Sequence, residues 1–156
     1  MLTFVPKGLC SWDYEAREDT ATIASVGFNH FGEQGEIAFA GTTYQVVKHG
    51  LMSGRWSLLD GIKTLAEAHK PSALFREFEI RIGPQRLHLK AESALARSYR
   101  LQSDTGCSGE IWPAHPFTRR AFMRCSPATP PLTQLFCFWL AALTWRRSAQ
   151  NSAAHG

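Results

Sequence analysis

The chain has 156 residues, 44% of them apolar and 19% charged, with a net charge of +4 at neutral pH; this suits a single domain and excludes a chain disordered throughout. The charge is uneven: residues 1–75 carry six Lys and Arg against eight Asp and Glu, and residues 76–156 carry eleven, ten of them Arg, against five. A basic, Arg-rich half suits either acidic lipid and phosphate partners or a solvated strand face with a basic tail.

Residues 1–19 have no decisive pattern. LTFVP reads as a short strand and SWDYEAREDT as a turn or short helix, so 1–19 is set apart as a lead-in of open order. From Thr20 the pattern turns to strands. TATIASVGF is rich in β-branched residues, and GEIAFAGTTYQVVK reads as two strands around Gly41. GRWSLLDG is a short strand ending at the hairpin signal Asp60-Gly61. IKTLAEAH contains the helix formers Leu65, Ala66, Glu67 and Ala68, but its place directly after that turn favours a strand, which Pro71 stops.

The clearest alternation follows. In FREFEIRI, Phe78, Ile80 and Ile82 oppose Glu77, Glu79 and Arg81, and Gly83-Pro84 turns the chain. RLHLK and SYRLQ repeat the pattern, and SGEIWP and RRAFMRCS extend it, with Ala121, Met123 and Cys125 opposite Arg120, Phe122 and Arg124. Strand signals thus recur every eight to twelve residues from about 20 to 126, the spacing of an antiparallel sandwich or barrel.

SPATPP ends this run, and a helix is predicted over Leu132–Trp145. Its length, about 21 Å, falls short of the roughly 30 Å of a bilayer core. One face carries Leu132, Leu135, Phe136, Trp139, Leu140 and Leu143, and the rest carries Cys137, Phe138, Ala141, Ala142 and Thr144. A helix apolar on all sides belongs in a large core or in lipid. A closed sheet of about ten to twelve strands has an interior wide enough for one helix. The expectation is therefore a mainly β fold, an antiparallel β-barrel over residues 20–147 enclosing its own hydrophobic C-terminal helix, with 148–156 as a flexible tail. Arg146 and Arg147 would mark the helix's exit into water and suit the negative end of its dipole.

YQVV, GRWSLLDGIKTLAEAHK, FEIRIGPQRLHLK, SYRLQ, GEI and FCFWLAALTW, taken in that order, resemble the tubby C-terminal-like superfamily, which includes tubby proteins, phospholipid scramblases and the plant LURP-one-related proteins. Trp56, Leu58 and Leu59-Asp60-Gly61 stand where that family often shows a W-x-L-x-D stretch before x-G. The resemblance covers about Gly35 to Arg147 and implies twelve strands around a threaded helix. The chain is short for that number, which implies very short or missing strands. The family also implies phosphoinositide binding through basic residues of the barrel wall, but those residues do not align here one by one. The calcium segment of the scramblase branch does not carry over, because residues 126–147 hold no acidic cluster.

Motifs for chemistry are sparse. His30, His49, His69, His88, His115 and His155 lack metal-ligand spacing, no calcium loop is present, and G-x-S-x-G and phosphate-loop patterns are missing. GFNHFGEQGE reads as a polar hairpin loop rather than a dinucleotide fingerprint. Cys10, Cys107, Cys125 and Cys137 show no CxxC spacing and fit a reducing compartment; Cys107, in the Gly-rich turn DTGCSGE, reads as a loop cysteine. No catalytic residue, cofactor or metal is predicted. WPAHPFTRRAFMR interleaves Trp112, Phe117 and Phe122 with Arg119, Arg120 and Arg124. It reads either as a proline-stiffened loop leading to an edge strand guarded by arginines or as a surface for phospholipid headgroups, with those three arginines as the candidate contacts.

The functional expectation is a non-enzymatic binding or scaffold domain meeting an anionic lipid surface or a protein partner, with no nucleic acid. Two alternatives stand beside it: a membrane-associated protein anchored by residues 132–145, and an enzyme or carrier acting on a lipid-like ligand. MLTFVPKGLCSWDYE lacks the basic and long apolar regions of a secretion signal, so the expected location is cytoplasmic, peripheral to a membrane where lipid is bound.

Overall fold

The computed structural model describes residues 1–106 and 108–155; Cys107 lies outside the described residues. Twelve strands precede one helix: β1 (Leu2–Pro6), β2 (Tyr14–Glu18), β3 (Ala21–Phe28), β4 (Gly35–Phe39), β5 (Thr42–Lys48), β6 (Arg55–Asp60), β7 (Lys63–His69), β8 (Glu77–Ile82), β9 (Gln85–Ala91), β10 (Tyr99–Ser103), β11 (Ser108–Pro113), β12 (Ala121–Cys125) and α1 (Pro131–His155). Each strand pairs antiparallel with its chain neighbours, and β1 closes the circle against β12, with Leu2 opposite Met123 and Phe4 opposite Ala121. The fold is the expected barrel around its own C-terminal helix.

Period-2 patterning explains the wall. Phe78 and Ile80 of β8, Leu87 and Leu89 of β9, and Tyr99 and Leu101 of β10 point inward and are buried, while Arg81, His88 and Arg100 between them are exposed. Register locks these rows together, because a slip of one residue would turn the apolar side of a strand to water. Phe78 faces Leu89, and Leu89 faces Leu101.

The helix fills the interior. Thr133 and every residue from Leu135 to Arg146 are buried, so the segment is shielded on all sides. Phe138 stacks on Phe4 of β1 with ring centroids 3.5 Å apart and meets Tyr14 of β2 edge-on at 5.0 Å. Trp139 stacks on Phe28 of β3 at 4.7 Å. Polar atoms carried inside find partners, as burial requires. Trp139 Nε1 donates to the Gly27 carbonyl at 3.0 Å, and Trp145 Nε1 to that of Arg97 at 3.1 Å. The hydroxyls of Tyr99 and Thr144 lie 2.5 Å apart, and Thr144 Oγ1 donates to the Ala141 carbonyl. Among the described residues Tyr14 Oη is the buried side-chain polar atom without a partner, and burial pushes its phenol pKa up. Gly35 makes room for the helix: a Cβ there would sit 2.8 Å from Trp139 Nε1 and collide with the Gly27 carbonyl.

Several expectations are corrected. Residues 2–18 are no lead-in: they form β1 and β2, whose inward Leu2, Phe4, Tyr14 and Ala16 complete the core. LTFVP is the strand its sequence suggested, but β2 stands where a turn or short helix was expected, its five residues giving too little alternation to recognise, and the partner that closes β1 lies at the far end of the chain. All twelve strands are present despite the short chain, each of five to eight residues. At the β6–β7 hairpin, Asp60 pairs with Lys63 as strand, and Gly61 with φ +59° and Ile62 make the turn. Leu132 is half-buried at the barrel mouth, whereas Leu135, Phe136, Trp139, Leu140 and Leu143 are fully enclosed. The helix does not end at Trp145 but continues through the expected tail to His155. Arg146 and Arg147 therefore do mark the exit from the barrel, but they lie mid-helix, away from the negative dipole end. The buried turns nucleate the helix, so the polar extension needs only propagation.

Candidate functional site

An up-and-down barrel places alternate connections at opposite ends. Residues 7–13, 29–34, 49–54, 70–76, 92–98 and 114–120 make six connections of six or seven residues at one end. The other end has the tight turns 19–20, 40–41, 61–62 and 83–84, the β10–β11 connection and the link into α1. The helix enters at the turn end and leaves through the ring of long connections.

Hydrogen bonds, most of them from side chains, tie each long connection to the next. Arg119 donates to the carbonyls of Gly8 (2.6 Å) and Leu9, binding the β11–β12 connection to the β1–β2 connection. Arg97 donates to the carbonyls of Pro116 (3.1 Å) and Thr118 (2.9 Å), and Arg76 to those of Ser93 (3.0 Å) and Ala94 (2.7 Å). The Lys70 amide donates to the Gly54 carbonyl at 2.8 Å. Lys48 reaches Glu33 at 2.6 Å, and Asp13 accepts from the Phe28 amide at 2.9 Å, which closes the circle. Stacking steadies it: the guanidinium of Arg97 lies 5.1 Å from the Trp145 ring and that of Arg119 lies 5.6 Å from Trp12.

The exit of the helix is latched to this rim. Arg146 donates to the carbonyls of Gly32 (2.9 Å), Asn29 (3.0 Å) and His30 (3.2 Å). Arg147 pairs with Glu33 through Nε and, at 2.6 Å, through Nη2. Burial opposes ionisation of Glu33, but hydrogen bonds from Arg147 and Lys48 outweigh it and hold the carboxyl at about 2. Trp56 Nε1 donates to the Glu33 carbonyl at 2.9 Å, and Arg147 covers the Trp56 ring at 5.4 Å.

The resulting electrostatics are one-sided. The six rim connections contain Lys7, Lys70, Arg76, Arg97, Arg119 and Arg120 against Asp13, Glu33 and Glu92, and Glu92 is engaged by Arg100 at 3.0 Å. The turns and the β10–β11 connection at the other end contain Asp19 and Asp104 but neither Lys nor Arg. Carbonyl oxygens orient Arg76, Arg97 and Arg119 without cancelling their charge, so each remains a braced cation that forms no salt bridge among the described residues.

Of the three arginines singled out from the sequence, Arg119 and Arg120 lie on this rim. Arg119 is half-buried with a structural role, and Arg120 is exposed. Arg124 is not with them: it lies on the outer wall opposite Glu110, its guanidinium 5.6 Å from the Trp112 ring. Sequence reasoning missed Arg76, Arg97, Lys48 and Glu33. For the arginines a signal exists, since Arg76, Arg97 and Arg119 follow one another at 21 and 22 residues, the length of one two-strand repeat.

A second concave feature lies on the outer wall of β6–β9, a cleft of about 410 Å³ lined in part by His49, Ser57, Glu67, Glu79, Arg81 and Arg86. His49 Nε2 is 2.5 Å from Ser57 Oγ, and Arg81 and Arg86 stand directly opposite each other. No group of three or more His, Cys, Asp or Glu among the described residues is placed to hold a metal ion. No described helix is long and apolar enough to cross a membrane. No family model, curated protein or solved structure matches this chain.

Proposed function

We propose that this chain is a non-enzymatic binding domain of the tubby-like kind that docks through its loop rim on an anionic surface, acidic phospholipid headgroups in the first instance. The observation that carries this reading is the bracing of Arg76, Arg97 and Arg119 by neutral carbonyls. Fixed cations that have already lost side-chain freedom meet an anion at a reduced entropic cost. The polarity of the barrel supports it, since the acidic turn end would turn the rim toward a negative surface during approach. A helix-filled barrel of twelve strands is what the family resemblance implies, and the chain's like architecture is the starting point for this reading. The domain acts as a rigid holder, with the interior occupied by its own helix and the contacts made outside.

Vesicles containing acidic phospholipid test the reading. Retention of the protein at low salt, with weaker retention on neutral vesicles and a fall as salt rises, is the expected result. Arg120→Glu and Lys7→Glu, both at exposed positions, should weaken retention without changing the melting temperature. Equal retention on neutral and acidic vesicles, or none on either, would remove the anionic surface as the partner. In the second case a protein partner remains.

A further inference from the structure

The same rim holds most of the large apolar side chains that folding leaves in water. Each of the six connections has at least one. Leu9, Phe31, Leu95 and Phe117 stand singly, each at least 89% exposed. The neighbouring β5–β6 and β7–β8 connections carry two each, Leu51 with Met52 and Leu74 with Phe75. Beyond the rim, comparable exposure among the described residues falls on Met1 and Ile62 alone. Single exposed apolar residues scattered over a protein are ordinary. Here they are gathered on every connection of one end, beside the braced cations, while the other end is turned by residues such as Asp19, Gly41 and Gly83-Pro84.

We propose that these tips enter the interface of a lipid bilayer with acidic headgroups, the arginine girdle resting at the level of the phosphates. The proposal rests on the docking reading above and names the partner as a fluid bilayer rather than a soluble polyanion or an acidic protein. The argument is geometric and chemical. The tips are spread over all six connections around the mouth of the barrel, so a protein partner would have to match the whole ring at once. A bilayer accepts each tip independently and offers phosphates to the cations between them.

The helix sets the angle of approach. Beyond Arg147 it runs eight more residues, Ser148 to His155, with no Lys, Arg, Asp or Glu, and projects about 12 Å from the same mouth. The headgroup layer of one leaflet is about 5–8 Å thick, so this rod prevents a strictly upright barrel from seating its tips. The barrel therefore leans, and toward the β5–β6 and β7–β8 connections, which carry two exposed apolar side chains each where the others carry one.

The test uses the full chain and vesicles of phosphatidylcholine with about 30% phosphatidylserine, at about 0.1 M and about 0.5 M NaCl. Beads carrying polyglutamate serve as the soluble-polyanion control. The fourfold variant Leu51→Ser, Met52→Ser, Leu74→Ser, Phe75→Ser should partition onto vesicles at least tenfold more weakly than the parent, given the apolar area withdrawn, and bind polyglutamate equally. The parent should keep part of its vesicle binding at the higher salt and the variant should lose it. Leu9→Ser with Phe117→Ser, on the far side of the lean, should change partitioning by less than about threefold. If the fourfold variant loses its melting transition, Leu74→Ser with Phe75→Ser carries the same test, with a loss of at least about threefold. A variant that partitions as the parent does overturns insertion and leaves the docking reading standing. A parent that ignores acidic vesicles overturns both. Equal losses on the two sides overturn the lean.

Discussion

Phe138 and Leu140 lie two positions apart on α1 and so about 200° apart around its axis, yet both are fully buried. Phe138→Ala removes a ring that stacks on Phe4 at 3.5 Å and meets Tyr14 and Trp145 edge-on at 5.0 and 5.9 Å. Truncating a buried Phe costs about 3–5 kcal/mol. The upper part of that range applies, because each aromatic contact adds roughly 0.5–1.5 kcal/mol beyond area and a hydrogen-bonded wall cannot collapse onto the void. Leu140→Ala, on the opposite side, should cost about 2–5 kcal/mol. Against a total stability of about 5–15 kcal/mol, each is a large loss. With a urea slope of about 2 kcal/mol per molar, the unfolding midpoint should fall by roughly 2–2.5 M for Phe138→Ala and roughly 1–2.5 M for Leu140→Ala, read by circular dichroism and Trp fluorescence together. If Phe138→Ala does not fold, Phe138→Leu, which keeps most of the apolar volume but loses the three ring contacts, should still do so at a cost of about 2–3 kcal/mol. A helix lying on the outside of the barrel would leave one of these side chains in water. A change below about 0.5 kcal/mol at either position would therefore refute the enclosed helix.

Three other outcomes are expected. Gly35→Ala puts a methyl against the Gly27 carbonyl and 2.8 Å from Trp139 Nε1, so it should lower stability by about 3 kcal/mol or more; a thermal melt within a degree or so of the parent would contradict the close approach. Ala40 has φ +51° in the β4–β5 turn, and Ala40→Gly should raise stability by about 0.5–1 kcal/mol, or roughly 2 °C in melting temperature. Glu33 is held at about 2 against an ordinary 4.5, so on acidification the unfolded chain takes up the proton first. Its contribution is complete above about 4.5 and is lost as pH falls from there through about 2. The shift corresponds to an upper limit of about 3 kcal/mol, which screening at this partly exposed site reduces to about 1 kcal/mol. Urea midpoints at about pH 5 and about pH 3 should converge in Glu33→Gln relative to the parent, and an unchanged difference would show that the latch does not titrate.

Much of the architecture is legible along the chain because its causes are local. Alternation in FEIRI and RLHLK specifies a strand with one wet face. A run such as LFCFWLAALTW, greasy on every side and too short to span a bilayer, calls for an enclosing wall. The tight turns are equally local, written in Gly41, Gly61 and Gly83-Pro84. The end with the long connections is different. Arg119 stands beside Arg120 in sequence and the two look equivalent, but the fold spends one on carbonyls of residues 8 and 9 and leaves the other in water.

Which loops share an end, which arginine braces which neighbour, and that eight exposed apolar side chains form one rim all depend on closing β1 against β12. That contact joins the two extremes of the strand region. Short-range periodicity records which way a side chain faces along its own strand. Only closure of the ring decides what stands beside it, since neighbours around a barrel mouth are about 20 residues apart in sequence, or more than 100 where the circle meets.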